Sequence, residues 1–101
     1  MKRGTTPTIQ ITLTNIDVSS FDCIYLTLAQ HHKELVSKDK SQMEINGNVI
    51  SVKLTQEDTL KLDVGNAEIQ VRLAKESGKI AIASEIVDVY VDSILKEGVI
   101  E

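Results

Sequence analysis

LTQEDTLKLDVGNAEIQVRL, residues 54–73, decides how the chain folds. Thr55 and Asp58 stand three apart, which is the spacing of a capping box. The Thr55 hydroxyl and the Asp58 carboxylate can satisfy opposite ends of a first helical turn. Gly65 follows soon after, so the spacing predicts one helical turn over about 55–61 and no full helix. Asp63-Val64-Gly65-Asn66 then turns the chain. Ala67, Ile69, Val71 and Leu73 alternate with Glu68, Gln70 and Arg72, the period of a strand with one buried face. A strand ending at Leu54, a single turn of helix and a second strand make a corner of an all-β domain.

Upstream of this corner, VISVKL places Ile50, Val52 and Leu54 on one face. Asn46-Gly47-Asn48 before it is a hairpin signal, because Asn-Gly supplies the positive φ that a tight turn needs. Leu35-Val36 and Met43–Ile45 read as two short strands around a polar turn, Ser37–Ser41. CIYLTLAQ, residues 23–30, points Ile24, Leu26 and Leu28 inward and Tyr25 and Thr27 outward. NIDVSSFD, 15–22, is rich in turn formers and crosses between strands. TIQITLT, 8–14, alternates with Ile9, Ile11 and Leu13 on its apolar face.

Downstream, Glu76-Ser77-Gly78-Lys79 makes another hairpin turn. The inward residues beyond it are Ile80 and Ile82, then Val87, Val89 and Val91. Their parity slips by one, so a bulge or break near Ser84-Glu85 is required to keep both halves on the core. Asp92 is placed to cap a short helical stub ending at Gly98. About seven short strands with turns between them indicate an antiparallel β-sandwich, with a small β-barrel as the alternative. The expectation is a single domain over 1–101, with 1–7 flexible and 93–101 a short helical stub or tail.

The composition narrows the function classes. Apolar residues make up 42% and charged residues 26% of the 101 positions, ordinary values for a folded domain. Eleven basic against fifteen acidic residues leave a net charge of −4. A nucleic-acid partner wants a positive face and stacking aromatics. Here the only basic cluster is Lys2-Arg3 and the only aromatics are Phe21, Tyr25 and Tyr90. No apolar run reaches membrane-span length, and MKRGTTPTIQ lacks the apolar region of a signal peptide. Neither nucleic acid nor membrane is expected as a partner. One cysteine, Cys23, allows no internal disulfide, so synthesis in a reducing cytoplasm is the simplest reading.

Few residues suggest chemistry. His31-His32, with Cys23 and Glu34 near, invites a metal reading, but neighbours in an extended chain point to opposite faces and no zinc-ligand spacing exists. An exposed turn or strand end accounts for them better. Cys23 could be a nucleophile, but a buried structural thiol is the commoner state for such a position. Glu57, Asp58 and Asp63 do not follow the order of a calcium loop, and capping and turn roles suffice for Asp58 and Asp63. No phosphate loop, GxSxG or HExxH occurs. The chain is therefore expected to be no enzyme, with no catalytic residue, metal site or cofactor. Ile94, Leu95, Val99 and Ile100 either cap the bottom of the core or dock on a neighbouring subunit.

Two resemblances go further than these patterns. Asp63-Val64-Gly65-Asn66-Ala67-Glu68-Ile69, after a one-turn helix, resembles the Asp-x-Gly-x-Tyr-x-Cys approach to strand F of immunoglobulin domains. Ala67 holds the tyrosine place and Ile69 the cysteine place. The chain has no Trp and no possible disulfide, so the likeness is one of topology: an Ig-like sandwich. Across nearly its whole length the chain also resembles small phage proteins of Gram-positive hosts, carried by MKRGTTPTIQITL, LTQEDTLKL, EIQVRL and ILKEGVI. Similar segments occur in Ig-like N-terminal domains of baseplate and tail-associated proteins. The resemblance implies a phage or prophage virion component, made in the bacterial cytoplasm, that works by protein–protein docking. Its implied partners are other virion proteins or itself, as a homo-oligomer. The alternative on the same scaffold is a binding module for host-surface carbohydrate or protein, with Tyr25 as the one outward aromatic.

Overall fold

The computed structural model describes residues 1–101. In chain order its elements are β1 (Thr8–Thr12), β2 (Cys23–Gln30), β3 (Lys33–Asp39), β4 (Glu44–Asn46), β5 (Val49–Lys53), α1 (Gln56–Leu60), β6 (Gly65–Lys75), β7 (Ile80–Ala83) and β8 (Val87–Val91). Two single 3₁₀ turns, Val18–Ser20 and Lys40–Gln42, complete the set. The strands form two antiparallel sheets. One has the order β1-β5-β4, the other β3-β2-β6-β7, with β8 also beside β6. Two separate sheets make this a sandwich and not a barrel.

The strand order carries the topology. In an immunoglobulin sandwich, strands B, E and D share one sheet and C, F and G the other, with C′ added beside C in variable-type domains. β1-β5-β4 reproduces B-E-D, and β3-β2-β6 followed by the interrupted β7–β8 line reproduces C′-C-F-G. The helical turn α1 lies between β5 and β6, at the E–F corner. Its capping box is present as the sequence predicts: the Thr55 hydroxyl accepts from Asp58 N–H at 3.1 Å, and Asp58 Oδ2 accepts from Thr55 N–H at 2.8 Å. No strand runs along the outer side of β1, where strand A would lie. Residues 1–7 instead cross the end of the sandwich, and Lys2 makes an isolated parallel bridge to Asp92.

The core contains most of the set the alternation indicates, but Ile80, expected inward, is exposed, and Ile9, Ile11, Ile82 and Val89 are only partly buried at its margin. Leu13, Ile24, Leu26, Leu28, Ile50, Val52, Leu54, Ala67, Ile69, Val71 and Leu73 are buried. Val91 is buried as its strand parity indicates, and the additions are Val18 and Phe21, from the segment read as a crossing between strands, with Val36 and Leu62. The expected slip near Ser84-Glu85 is a one-residue register change: β7 pairs Arg72 with Ala83, while β8 pairs Ile69 with Val87. Ser84 bridges the gap, its N–H donating to the Val71 carbonyl at 2.8 Å and its hydroxyl accepting from Val71 N–H at 2.9 Å. Val87 nevertheless stays half exposed, because a three-stranded sheet does not cover the far edge of a five-stranded one.

Three expectations are corrected. The region read as a short strand and a polar turn is one seven-residue strand, β3, hairpinned to β2. A bulge at Leu35 hides its period: Ala29 pairs with Glu34 and Leu28 with Val36. The segment 93–101 contains no helix, so of its two readings the tail holds. Residues 1–7 are not free. Arg3 Nε donates to the Leu62 carbonyl at 2.6 Å, Arg3 Nη2 to Leu60 at 3.1 Å, and Arg3 N–H to Asp92 at 3.1 Å. The Leu60 and Leu62 carbonyls lie at and just past the end of α1, where they lack helical or ladder partners, and a guanidinium satisfies such groups well.

Candidate docking surface

One end of the sandwich gathers the start of β1, the end of β2, α1, the start of β6 and the end of β8, together with both chain termini. The side chains of Arg3, Gln30, Gln56 and the Lys38–Asp58 pair all have partners at this end. The Gln30 side chain, almost fully buried, clips the E–F corner: its Nε2 donates to the Asp63 carbonyl at 2.7 Å and its Oε1 accepts from Asp63 N–H at 2.8 Å. In immunoglobulin domains a tyrosine two residues before the strand-F cysteine ties this corner. Here that place is Ala67, and a glutamine from the end of β2 takes over the task. Gln30 was not visible as a special residue in the sequence, because a single Gln ending an alternating strand looks like a solvated one.

Asp58 carries a second bond besides its cap. Lys38 Nζ lies 2.8 Å from its Oδ2, and both side chains are largely buried. The bulge at Leu35 makes this contact. Continued in phase from the Gln30–Lys33 pair, the hairpin would have set Lys38 opposite Tyr25, on the outer face. The extra residue sets it opposite Leu26 instead, on the core side. Burial pushes the Asp58 carboxyl up, but the Lys38 hydrogen bond and the Thr55 N–H and hydroxyl outweigh it and hold its pKa below the ordinary value. Glu57 is exposed in the first turn of α1, and Asp63 is engaged through its backbone, so the three acids do not converge.

His31 and His32 are the two central residues of the β2–β3 hairpin, both exposed, with φ of 54° and 62°. No group of three or more His, Cys, Asp or Glu side chains is placed to share a metal ion. Cys23 corrects an expectation. It is exposed on the outer face of the five-stranded sheet and not buried. The parity that sends Ile24, Leu26 and Leu28 inward sends Cys23, Tyr25 and Thr27 out.

What the surface offers is apolar contact and open strand edges. On the outer face of the five-stranded sheet, Cys23, Tyr25, Glu34, Arg72 and Ala81 surround a shallow depression of about 440 Å³. Beside β1, a second groove of about 480 Å³ runs between the two sheets and is lined by Ile11, Leu13, Ile16 and Val87. The C-terminal segment divides its apolar residues. Ile94 packs over Gly4, whose φ of +70° and lack of a side chain admit it: a Cβ there would lie 2.9 Å from Ile94 Cδ1. Leu95, Val99 and Ile100 stay exposed, although Gln56 holds the Ile100 backbone with two bonds of 2.9 Å. No helix is long and apolar enough to cross a membrane. Compared with protein-family models, curated proteins and solved structures, the chain finds no match.

Proposed function

We propose that this domain is a non-catalytic structural or assembly protein of a phage or prophage, associated with the tail or baseplate, that acts by docking on protein surfaces. The observation that carries the docking half of the reading is the character of the surface. At the E–F end Arg3, Gln30 and Gln56 bond the domain's own backbone and Lys38 pairs with Asp58, while apolar groups and strand edges are left outward. The phage half is supported by the likeness of MKRGTTPTIQITL, LTQEDTLKL and ILKEGVI to small phage proteins of Gram-positive hosts. On this reading the protein is made in the bacterial cytoplasm and ends in the virion, bound to other virion proteins or to itself.

The experiment is a particle composition. Mass spectrometry of purified phage particles, with the gene's neighbours read alongside, is expected to find the protein in the particle and tail genes on either side. Absence from particles together with a gene outside any prophage cluster overturns the reading. The depression around Tyr25, which is half exposed beside Arg72 and Glu34, favours a second reading as a binding module for host-surface carbohydrate or protein. Binding on a glycan array that Tyr25→Ala abolishes would select it.

A further inference from the structure

The two sheets end in four strand edges: β1 and β4 on one, β3 and the β7–β8 line on the other. Three carry the features that keep edges from pairing with other chains. β3 reads Lys-Glu-Leu-Val-Ser-Lys-Asp and is bulged at Leu35. β4 is three residues long, and the β7–β8 line is broken by its register change. β1 has none of these. Thr8-Ile9-Gln10-Ile11-Thr12 is uncharged, unbulged and free of proline.

Its open side is ready to bond. The Leu13 N–H donates to the Asn48 carbonyl at 2.8 Å and the Leu54 N–H to the Pro7 carbonyl at 2.9 Å. These bonds fix the odd-numbered residues of β1 as the ones bonded to β5, so Thr8, Gln10 and Thr12 turn their N–H and C=O groups away from the sheet. The strand is also a palindrome. Laid antiparallel on a second copy with Gln10 at a twofold axis, it sets Thr8 opposite Thr12, Ile9 opposite Ile11 and Gln10 opposite Gln10. The three outward-bonding residues then become hydrogen-bonded pairs, each exchanging two bonds.

We infer that β1 is a self-pairing edge, through which two copies join their three-stranded sheets into one continuous sheet about a twofold axis. The occupant is a second copy because the symmetry about Gln10 sets like residues opposite one another across a twofold axis, the arrangement an isologous contact uses. Charge agrees: two copies each of net charge −4 repel least where neither contributes a charge. The neighbouring groove agrees as well. The Ile9 and Ile11 side chains of the added strand face the core side and cover the groove lined by Ile11, Ile16 and Val87. The inference rests on the docking reading given above and specifies one of its contacts, but the two fail separately.

Sedimentation equilibrium of the purified protein tests it, with Gln10→Lys, Gln10→Glu and an equimolar mixture of the two. The Gln10 side chain is exposed and makes no hydrogen bond, so both variants should keep the wild-type melting curve when dilute. The wild type is expected as a dimer and each variant as a monomer, half that mass, with like charges facing across the axis. The mixture is expected to restore the dimer. Tyr25→Lys, on the outer face of the other sheet, should leave the dimer intact. A wild type that stays monomeric up to millimolar concentration overturns the inference, as does a dimer that Gln10→Lys leaves whole. Finding such a monomer in phage particles would leave the docking reading standing.

Discussion

The two ends of the sandwich are closed by different physics. At the E–F end, side chains reach across long stretches of sequence to bond backbone groups: Arg3 to Leu60 and Leu62, Gln30 to Asp63, Thr59 to Thr5, Gln56 to Ile100. The Lys38–Asp58 pair lies among them. At the opposite end, the 3₁₀ turn Val18–Ser20 drops Val18 and Phe21 into the core, and the turns of β4–β5 and β6–β7 close locally. Lys75 lies over the Phe21 ring at 4.8 Å and Lys40 Nζ donates to the Phe21 carbonyl at 2.7 Å. An apolar plug is non-directional and tolerates a loose chain around it. A polar clasp demands geometry, and it holds the termini and the corner in one arrangement.

The largest effect should come from the apolar end. Phe21→Ala leaves a cavity and removes the only phenylalanine, for an expected loss of about 3–5 kcal/mol in urea unfolding. Breaking the polar end at its charged pair should cost less. Asp58→Asn strands the Lys38 ammonium and Lys38→Met strands the carboxylate, each for about 2–4 kcal/mol, since both groups keep some contact with water. The double variant should cost less than the sum of the two, which identifies the pair as a unit. If each single change costs under half a kilocalorie, the clasp is decoration and the comparison between the ends collapses.

The same pair sets a pH dependence. The Asp58 pKa lies below its unfolded value of about 3.9, so its contribution to stability is fully present above that value. It is lost as pH falls below about 4, through the lower folded pKa. The urea midpoint of the wild type should therefore drop in that window, and the Asp58→Asn variant should show a shallower drop. Gln30→Ala comes next in size. It leaves the Asp63 N–H and carbonyl without their partners at the corner, for about 1–3 kcal/mol, and amide exchange at Asp63 should accelerate.

How much of this was legible in the sequence follows the same division. Period-two alternation gave away β1, β2, β5 and β6, and the Thr55–Asp58 spacing gave away α1, because each is a local pattern with a local cause. The shift of parity at Ser84 was legible for the same reason. β3 was legible only at Leu35-Val36, since the bulge at Leu35 breaks the alternation that would have shown its full length. That one residue also concealed Lys38, whose inward turn is what completes the Asp58 site. Val18 and Phe21 were hidden among Asp and Ser residues, and only a three-residue 3₁₀ turn aims them at the core. The exposure of Cys23 follows from the parity of its strand, which outweighs the general tendency of a lone thiol to be buried. Gln30, Arg3 and Gln56 bond partners 33, 59 and 44 residues away, and pairings at that range leave no mark in a local pattern.

The smallest test asks whether the hairpin at the polar end gains anything from its histidines. His31 and His32 both hold positive φ in the two-residue loop closed by Gln30 and Lys33, the pattern of a type I′ turn. Asn-Gly is the pair this turn prefers, and each histidine is held in a conformation that costs a side chain with a Cβ. Both rings are exposed, so nothing is lost on the folded side by removing them. The double change His31→Asn, His32→Gly should stabilise the domain by about 0.5–1 kcal/mol, a rise of a few degrees in melting temperature. A fall instead would mean that the rings make contacts worth more than the strain, and would point to His31-His32 as a site kept for a partner. The hairpin begins directly after Gln30, so the gain should vanish in the Gln30→Ala background if the clasp, and not the turn, sets the register of this corner.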